Sequence, residues 1–386
     1  MRILFSTTPG MGHVQPVIPL ARAAAAAGHD VRWATGPDAA ALVDAAGLAT
    51  VVMGASAPDR ARALAERYPE AASVPGPERA DFMFPRMFGD IGAGSVFPHL
   101  LELATSWRPD VIVHEQAELA APIVAAAVGV PNACHSFGLA LPAQRVDRAA
   151  PFTRPLWEAV GLEPRPLGGC YDHLYIDIAP PSLQPDPLPH LGRRVHRRPE
   201  AADDTTEVLP PSVEELLDRP RPKVYLTFGT VFNVNPVFAT AVDALSTVDA
   251  EVIVTVGPGG DAGAFGAVAG NVHVERYVPQ SRLLPQVDLV VSHAGSGTFL
   301  GALAAGLPQL CIPQAADQFQ NAQAGERAGV ALALRGPEVT APAVTEAAQR
   351  LLDEPTFRQR ARAIATEIEA MPPVEDVVAA LETLGR

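Results

Sequence analysis

The order of apolar runs constrains this chain more than anything else in it. The pattern predicts strands at Arg2–Ser6, Val31–Ala34, Val51–Val52, Val111–Val113 and Asn132–His135. Between them it predicts Ala-rich helices at Pro16–Ala27, Pro37–Ala46, Leu100–Thr105 and Leu119–Val128. Strand, helix and strand in repeating order bury both faces of a parallel sheet. Gly28, Gly47 and Gly129 each fall just past a helical segment, where a left-handed residue closes the last turn. The rhythm stops near Arg197, in a polar, proline-rich stretch that reads as a linker with one short helix. It restarts at Val224–Thr227 and continues through Glu251–Val256, Val272–Val274, Leu289–Ser292 and Gln309–Ile312.

A chain of 386 residues exceeds what one hydrophobic core usually supports. The expected fold class is therefore α/β, with two doubly wound domains at 1–200 and 223–370 and a linker at 201–222. The paired prolines after Met371 should break the last helix, leaving 371–386 as a separate amphipathic helix able to cross back onto the first domain.

Composition removes several function classes. A net charge of −14 disfavours binding to nucleic acid or to anionic membranes, both of which are polyanions. The three cysteines, Cys134, Cys170 and Cys311, are too few and too scattered for a disulfide framework or a zinc ribbon. The first residues lack the apolar run and cleavage site of a secretory signal, and Leu119–Val130 is too short to span a bilayer. The expectation is a soluble cytoplasmic protein.

Four motifs could carry chemistry. After the first strand, Pro9-Gly10-Met11-Gly12-His13 is followed by Gln15, where a dinucleotide fingerprint would place its third glycine. The second strand ends Trp33-Ala34-Thr35 with no carboxylate for a ribose, which argues against NAD. What remains is His13 at the carboxyl edge of a parallel sheet, where open α/β folds bind ligands and an imidazole serves as general base. The second motif runs from Leu289 through His293, Gly295, Ser296, Gly297 and Thr298 into a helix, whose free N–H groups suit a diphosphate. The third is the turn Thr227–Thr230, with Thr230 as a donor. In the fourth, Asp317 and Gln318 offer adjacent carboxylate and amide groups for sugar hydroxyls.

Three stretches, Pro9–Ala21, Glu275–Thr298 and Pro313–Ala322, together with the tail Met371–Leu384, resemble one family. They are similar to the two-domain GT-B glycosyltransferases, in the bacterial natural-product branch related to macrolide and enediyne enzymes. The resemblance implies two Rossmann-like domains facing across a cleft. It implies an inverting transfer of a deoxysugar from a nucleoside diphosphate sugar, thymidine-linked in such a setting, to a hydroxyl of a hydrophobic aglycone. His13 would be the base, oriented by Glu115, with Gln116 and Glu118 as alternatives. Tyr277, Val278 and Gln280 would hold the nucleobase, and His293 with Gly295–Thr298 the diphosphate. Thr230 would sit near the β-phosphate, and Asp317 and Gln318 on the sugar.

The acceptor side is expected in the first domain, where apolar, adaptable side chains suit a polyketide-type aglycone. The candidates are Met11, Phe82, Met83, Phe84, Phe88 and Phe137. Neither metal nor cofactor is implied; the nucleotide sugar is a co-substrate, and a homodimer is compatible with the sequence. The competing reading is a non-catalytic auxiliary partner of another glycosyltransferase, which would be expected to lack the histidine and the diphosphate loop.

Overall fold

The computed structural model describes residues 1–386 apart from 75, 186, 202–206, 230–234, 258–259, 261–262, 264–268 and 386. The chain divides into two units. Unit 1 comprises Met1–Ala179, Pro185–Arg198 and Met371–Arg386; unit 2 comprises Pro180–Gln184 and Pro199–Ala370.

Unit 1 is built on seven strands: β1 (Arg2–Ser6), β2 (Asp30–Thr35), β3 (Ala49–Val52), β4 (Val111–Glu115), β5 (Asn132–His135), β6 (Leu174–Asp177) and β7 (Arg194–His196). They lie in the order β3-β2-β1-β4-β5-β6-β7, and every pair is parallel. Every residue of β4, β5 and β6 is buried, as expected where helices cover both faces of a sheet. Unit 2 contains β8 (Lys223–Thr227), β9 (Glu251–Thr255), β10 (Val272–Glu275), β11 (Leu289–Ser292), β12 (Gln309–Cys311) and β13 (Ala331–Ala333). Their order is β10-β9-β8-β11-β12-β13, again all parallel.

Each order places the functional loops. The chain winds outward from β1 to β3, then returns to start the other half at β4, beside β1. Connections from adjacent strands thus leave in opposite directions and open a crevice at the strand ends. In unit 1 the register sets Ser6 opposite His114, so the loop after β1 meets the end of β4. In unit 2 it sets Thr227 opposite Ser292, so the turn after β8 meets the loop after β11. The two α/β halves agree with the sequence reading.

Strands β6, β7 and β13 have no counterpart in that reading. The stretch after β3, which looks irregular in sequence, is mostly helical. It contains helices at Ala57–Arg67, Gly76–Phe84 and Ala93–Trp107, the last two joined by a π-helical segment at Pro85–Gly92. A π segment shifts the side chains out of the 3.6-residue repeat, and Pro98 interrupts the ladder further on. The periodicity that would betray one long helix is therefore lost.

The final helix, Val374–Leu384, packs on the helix Ile18–Ala26 within unit 1. The Arg198 N–H donates to the Pro372 carbonyl at 2.8 Å, and His29 Nε2 lies 3.2 Å from Glu382. Among the described residues no helix is long and apolar enough to cross a membrane. Leu381 is fully buried at this junction. Leu381→Ala is expected to cost about 2–5 kcal/mol, read as a lower midpoint for the transition that unfolds unit 1. A change within about 0.5 kcal/mol would show that the tail does not stabilise the unit.

Candidate active site

The loop after β1 turns through Gly10 into a four-residue helix, Met11–Val14, that carries His13. A Cβ on Gly10 would lie 2.8 Å from His13 Cδ2, so the ring's position depends on glycine there. His13 Nδ1 is 3.2 Å from Glu115 Oε2 at the end of β4. The Glu115 carboxylate is buried and surrounded by donors. Oε1 accepts the Thr8 N–H (3.2 Å) and the Thr8 hydroxyl (2.8 Å), and Oε2 accepts the Ala117 N–H (2.6 Å). Burial pushes its pKa upward, but the His13 charge and these hydrogen bonds outweigh it and hold the carboxyl below its ordinary value. An ionised Glu115 beside Nδ1 favours the tautomer that carries its proton on that nitrogen.

The neighbouring candidates have other partners. Gln116 Oε1 accepts from the Leu141 N–H and the Tyr175 hydroxyl, while its amide donates to the Leu139 carbonyl. Glu118 accepts the N–H groups of Ala120 and Ala121 at the start of the next helix.

His13 opens on a cavity of about 160 Å³ within unit 1, whose lining includes Thr8, Met87, Phe88, Ser95 and Glu118. The rings of Phe88 and Phe137 stand 5.5 and 4.8 Å from the imidazole. Of the other aromatic and Met candidates, Phe84 is buried in the core behind Phe88, and Phe82 is covered by the Arg86 guanidinium at 3.7 Å. Met83 is half-buried, and Met11 is 36% exposed beside His13. The cavity wall is formed by Met87 and Phe88, one turn further along the π segment, rather than by Phe82, Met83 or Phe84.

In unit 2, β11 runs through His293, Ala294 and Gly295 into the helix Ser296–Ala304. Ala294 adopts φ 62°, a left-handed conformation that its N–H bond to Ser292 Oγ (3.0 Å) helps to hold. The first intrahelical bond is made by Phe299, to the Gly295 carbonyl. The N–H groups of Ser296, Gly297 and Thr298 therefore point out of the helix start with its dipole behind them. His293 sits over this turn. A Cβ on Gly295 would lie 2.5 Å from its Nε2, and one on Gly229 2.9 Å from its Cε1. Burial pushes His293 down to about 4, with Asp317 only partly opposing it. The ring is neutral near pH 7.

Asp317 and Gln318 follow β12 after Ala316, which is also left-handed at φ 56°. Asp317 Oδ2 accepts the Ser296 hydroxyl at 2.6 Å. Gln318 Oε1 accepts the N–H groups of Gln314 (2.7 Å) and Ala315 (2.9 Å). Gln280 contacts the Tyr225 and Thr298 hydroxyls at 3.2 and 3.3 Å, Val278 is core, and Tyr277 is 47% exposed and donates to Glu207. Thr230 and part of the expected linker, with Asp203 and Asp204, lie outside the described residues.

Two family models match the chain, described as the N-terminal and C-terminal domains of erythromycin biosynthesis protein CIII-like proteins, over residues 22–190 and 239–384. The chain belongs to this family. It is a glycosyltransferase of the GT-B fold, in the class that draws its sugar from a nucleotide carrier. It is 32% identical to the elloramycin glycosyltransferase ElmGT of Streptomyces olivaceus over 99% of this chain and 97% of that one. The glycosyltransferase SnogD of Streptomyces nogalater superposes with a TM-score of 0.78 at 28% identity, covering 100% and 99% of the two chains. The glycosyltransferase SsfS6 of Streptomyces sp. SF2575, solved with thymidine diphosphate, gives 0.79 at 27%, covering 99% of each.

Sequence reasoning missed two residues that shape these sites. Thr8 gives Glu115 two hydrogen bonds. Asn321, fully buried, ties Ala294 O (2.9 Å), Ser296 Oγ (3.0 Å) and Asp317 Oδ2 (3.2 Å) together. An amide four residues after Asp317 on a helix was the available signal. The burial of His293 has a measurable consequence. Its ring resonances should stay flat from about pH 8 down to about pH 5.5 in an NMR titration. The same depression removes stability as pH falls from about 6.5 toward about 4, since the unfolded chain takes up the proton first. A midpoint of about 6.5 would show that burial does not depress the ring.

Proposed function

We propose that this enzyme is an inverting transferase that moves a deoxysugar from thymidine diphosphate to a hydroxyl of a hydrophobic, polyketide-type aglycone. The observation that carries the reading is the 3.2 Å pair between His13 Nδ1 and a buried, ionised Glu115. In this reading His13 Nε2 takes the acceptor proton, and the acceptor oxygen attacks the anomeric carbon as the bond to the diphosphate breaks. A single displacement inverts that carbon. Glu115 keeps the imidazole in the productive tautomer and stabilises the imidazolium that forms.

Charge gathering on the leaving diphosphate meets the N–H groups of Ser296, Gly297 and Thr298, with the His293 ring seated over the turn. With Gln318 Oε1 engaged by two backbone N–H groups, its amide nitrogen is the group left to grip a sugar hydroxyl, beside Asp317. Gln280, tied to Thr298, and Tyr277 would meet the nucleobase, and Thr230 the β-phosphate. The apolar cavity beside His13, lined by Met87 and Phe88, and the Phe137 ring against the imidazole support a hydrophobic acceptor. The bound thymidine diphosphate of SsfS6 favours that nucleotide. A cytoplasmic setting, and functional domains divided near residues 200 and 370, belong to the same reading.

His13→Ala is expected to lower kcat by about 10²–10⁴-fold while the Kd for thymidine diphosphate changes by less than about threefold. The product's anomeric coupling constant should report the configuration opposite to that of the donor. Undiminished turnover in the variant, or retained configuration, would sink the mechanism.

A further inference from the structure

A carboxyl other than Glu115 faces the cavity at His13. Glu118 is 3% exposed, three residues after Glu115, and lines the space onto which His13 opens. Its Oε1 accepts the Ala120 N–H at 3.2 Å and its Oε2 the Ala121 N–H at 2.8 Å. A helix start is served equally well by Ser, Asn or Asp, without carrying a carboxyl into the interior. Here burial pushes the carboxyl up to about 7 despite the N–H bonds, and the nearby Glu115 charge adds to the cost. A carboxyl held at such a cost beside a ligand cavity points to a use.

The rest of the lining sharpens that use. Thr8 is committed to Glu115, and Thr7 to Thr35 and Trp33. Arg60 donates to the Ala55 carbonyl and to Asp38, and Ser95 to the Gly92 carbonyl. A carboxylate has about four acceptor positions. The two N–H groups and the adjacent Ser6 hydroxyl leave Glu118 at least one. Among the lining residues Glu118 is the carboxylate, and it keeps acceptor capacity toward the cavity.

We infer that Glu118 is a specificity-determining residue that accepts a hydrogen bond from a second hydroxyl of the acceptor, near the hydroxyl that His13 deprotonates. The favoured acceptors are then diols or polyphenols, and mono-hydroxyl analogues are discriminated against. The inference rests on the proposed glycosyl transfer at His13. Removing the partner hydroxyl leaves a buried carboxylate unmatched, which corresponds to about 10–100-fold in kcat/KM.

The test compares 1-naphthol with the 1,2-, 1,3- and 1,8-dihydroxynaphthalenes, using thymidine diphosphate glucose and the full-length enzyme at about pH 8, above the Glu118 value. At least one diol should exceed 1-naphthol by about 10–100-fold, chiefly through a lower KM. In Glu118→Gln that ratio should collapse toward one. A purely structural role would lower both acceptors by the same factor and keep the ratio, which would overturn the inference. The wild-type enzyme supplies a second measurement that needs no variant. Replacing the second hydroxyl by a methyl ether should return the diol to the level of 1-naphthol. An ether as good as the diol, or no preference among the diols, also overturns it. Absence of any transfer to 1-naphthol and to every diol would instead refute the glycosyl-transfer reading on which the inference stands.

Discussion

A carboxylate buried at the end of a central strand is stable only when donors surround it, and Glu115 gathers them from separate parts of unit 1. Thr8 supplies two from the loop after β1, Ala117 supplies one from the turn after β4, and His13 completes the set. Taking away one partner of such a group typically costs about 3–5 kcal/mol, because the charge stays buried without compensation. The glycines around His13 follow from this constraint. Gly10 makes room for the ring, and Gly36 lets the following strand's loop pass close to Pro9, where a Cβ would meet the proline ring at 2.7 Å. Fixing the carboxylate thus fixes the orientation of the imidazole.

Unit 2 shapes its corresponding strand-to-helix turn with strained backbone. Two alanines occupy left-handed backbone, Ala294 before one loop's helix and Ala316 before the other's. Each costs of order 1 kcal/mol and persists only where its surroundings determine it. Asn321 does much of that, since one amide holds the Ala294 carbonyl, the Ser296 hydroxyl and the Asp317 carboxylate. The strain turns three N–H groups outward and brings His293 over them. In the proposed reaction such a cradle of oriented dipoles would stabilise growing negative charge with little reorganisation.

The strands legible in the sequence are those that carry an unbroken apolar run. Arg2–Ser6 and Leu289–Ser292 each hold three consecutive apolar residues and are strands with those limits, whereas β6, buried throughout, carries a mixed Leu-Tyr-Ile-Asp sequence. Strands β7 and β13 have three residues each and exposed or half-buried positions, so they carry too little pattern to stand out. The π segment hid the long helical region from any search for a 3.6-residue repeat, and it also turned Met87 and Phe88 toward the cavity in place of Phe82 and Met83. His13 stood out because it follows a recognisable strand, whereas Glu115 entered only through the family resemblance, with Gln116 and Glu118 beside it. Asn321 and Thr8 could not be read, because their importance lies in partners that only the folded chain brings near.

The contrast between Glu115 and Glu118 shows how little distance is needed to separate two roles. Both carboxyls are buried at the end of the same strand, and desolvation raises both. Glu115 faces an imidazole and three further donors, which reverse the effect and keep it ionised. Glu118 faces two helix N–H groups, a hydroxyl and the negative charge of Glu115, which do not. Environments that drive neighbouring acids apart are the usual means by which one site holds a fixed charge and a responsive group together. In the proposed reaction the fixed charge would orient the base, while the responsive group, against the cavity at His13, would read the acceptor. A single turn after β4 would then couple the identity of the acceptor to the chemistry performed on it.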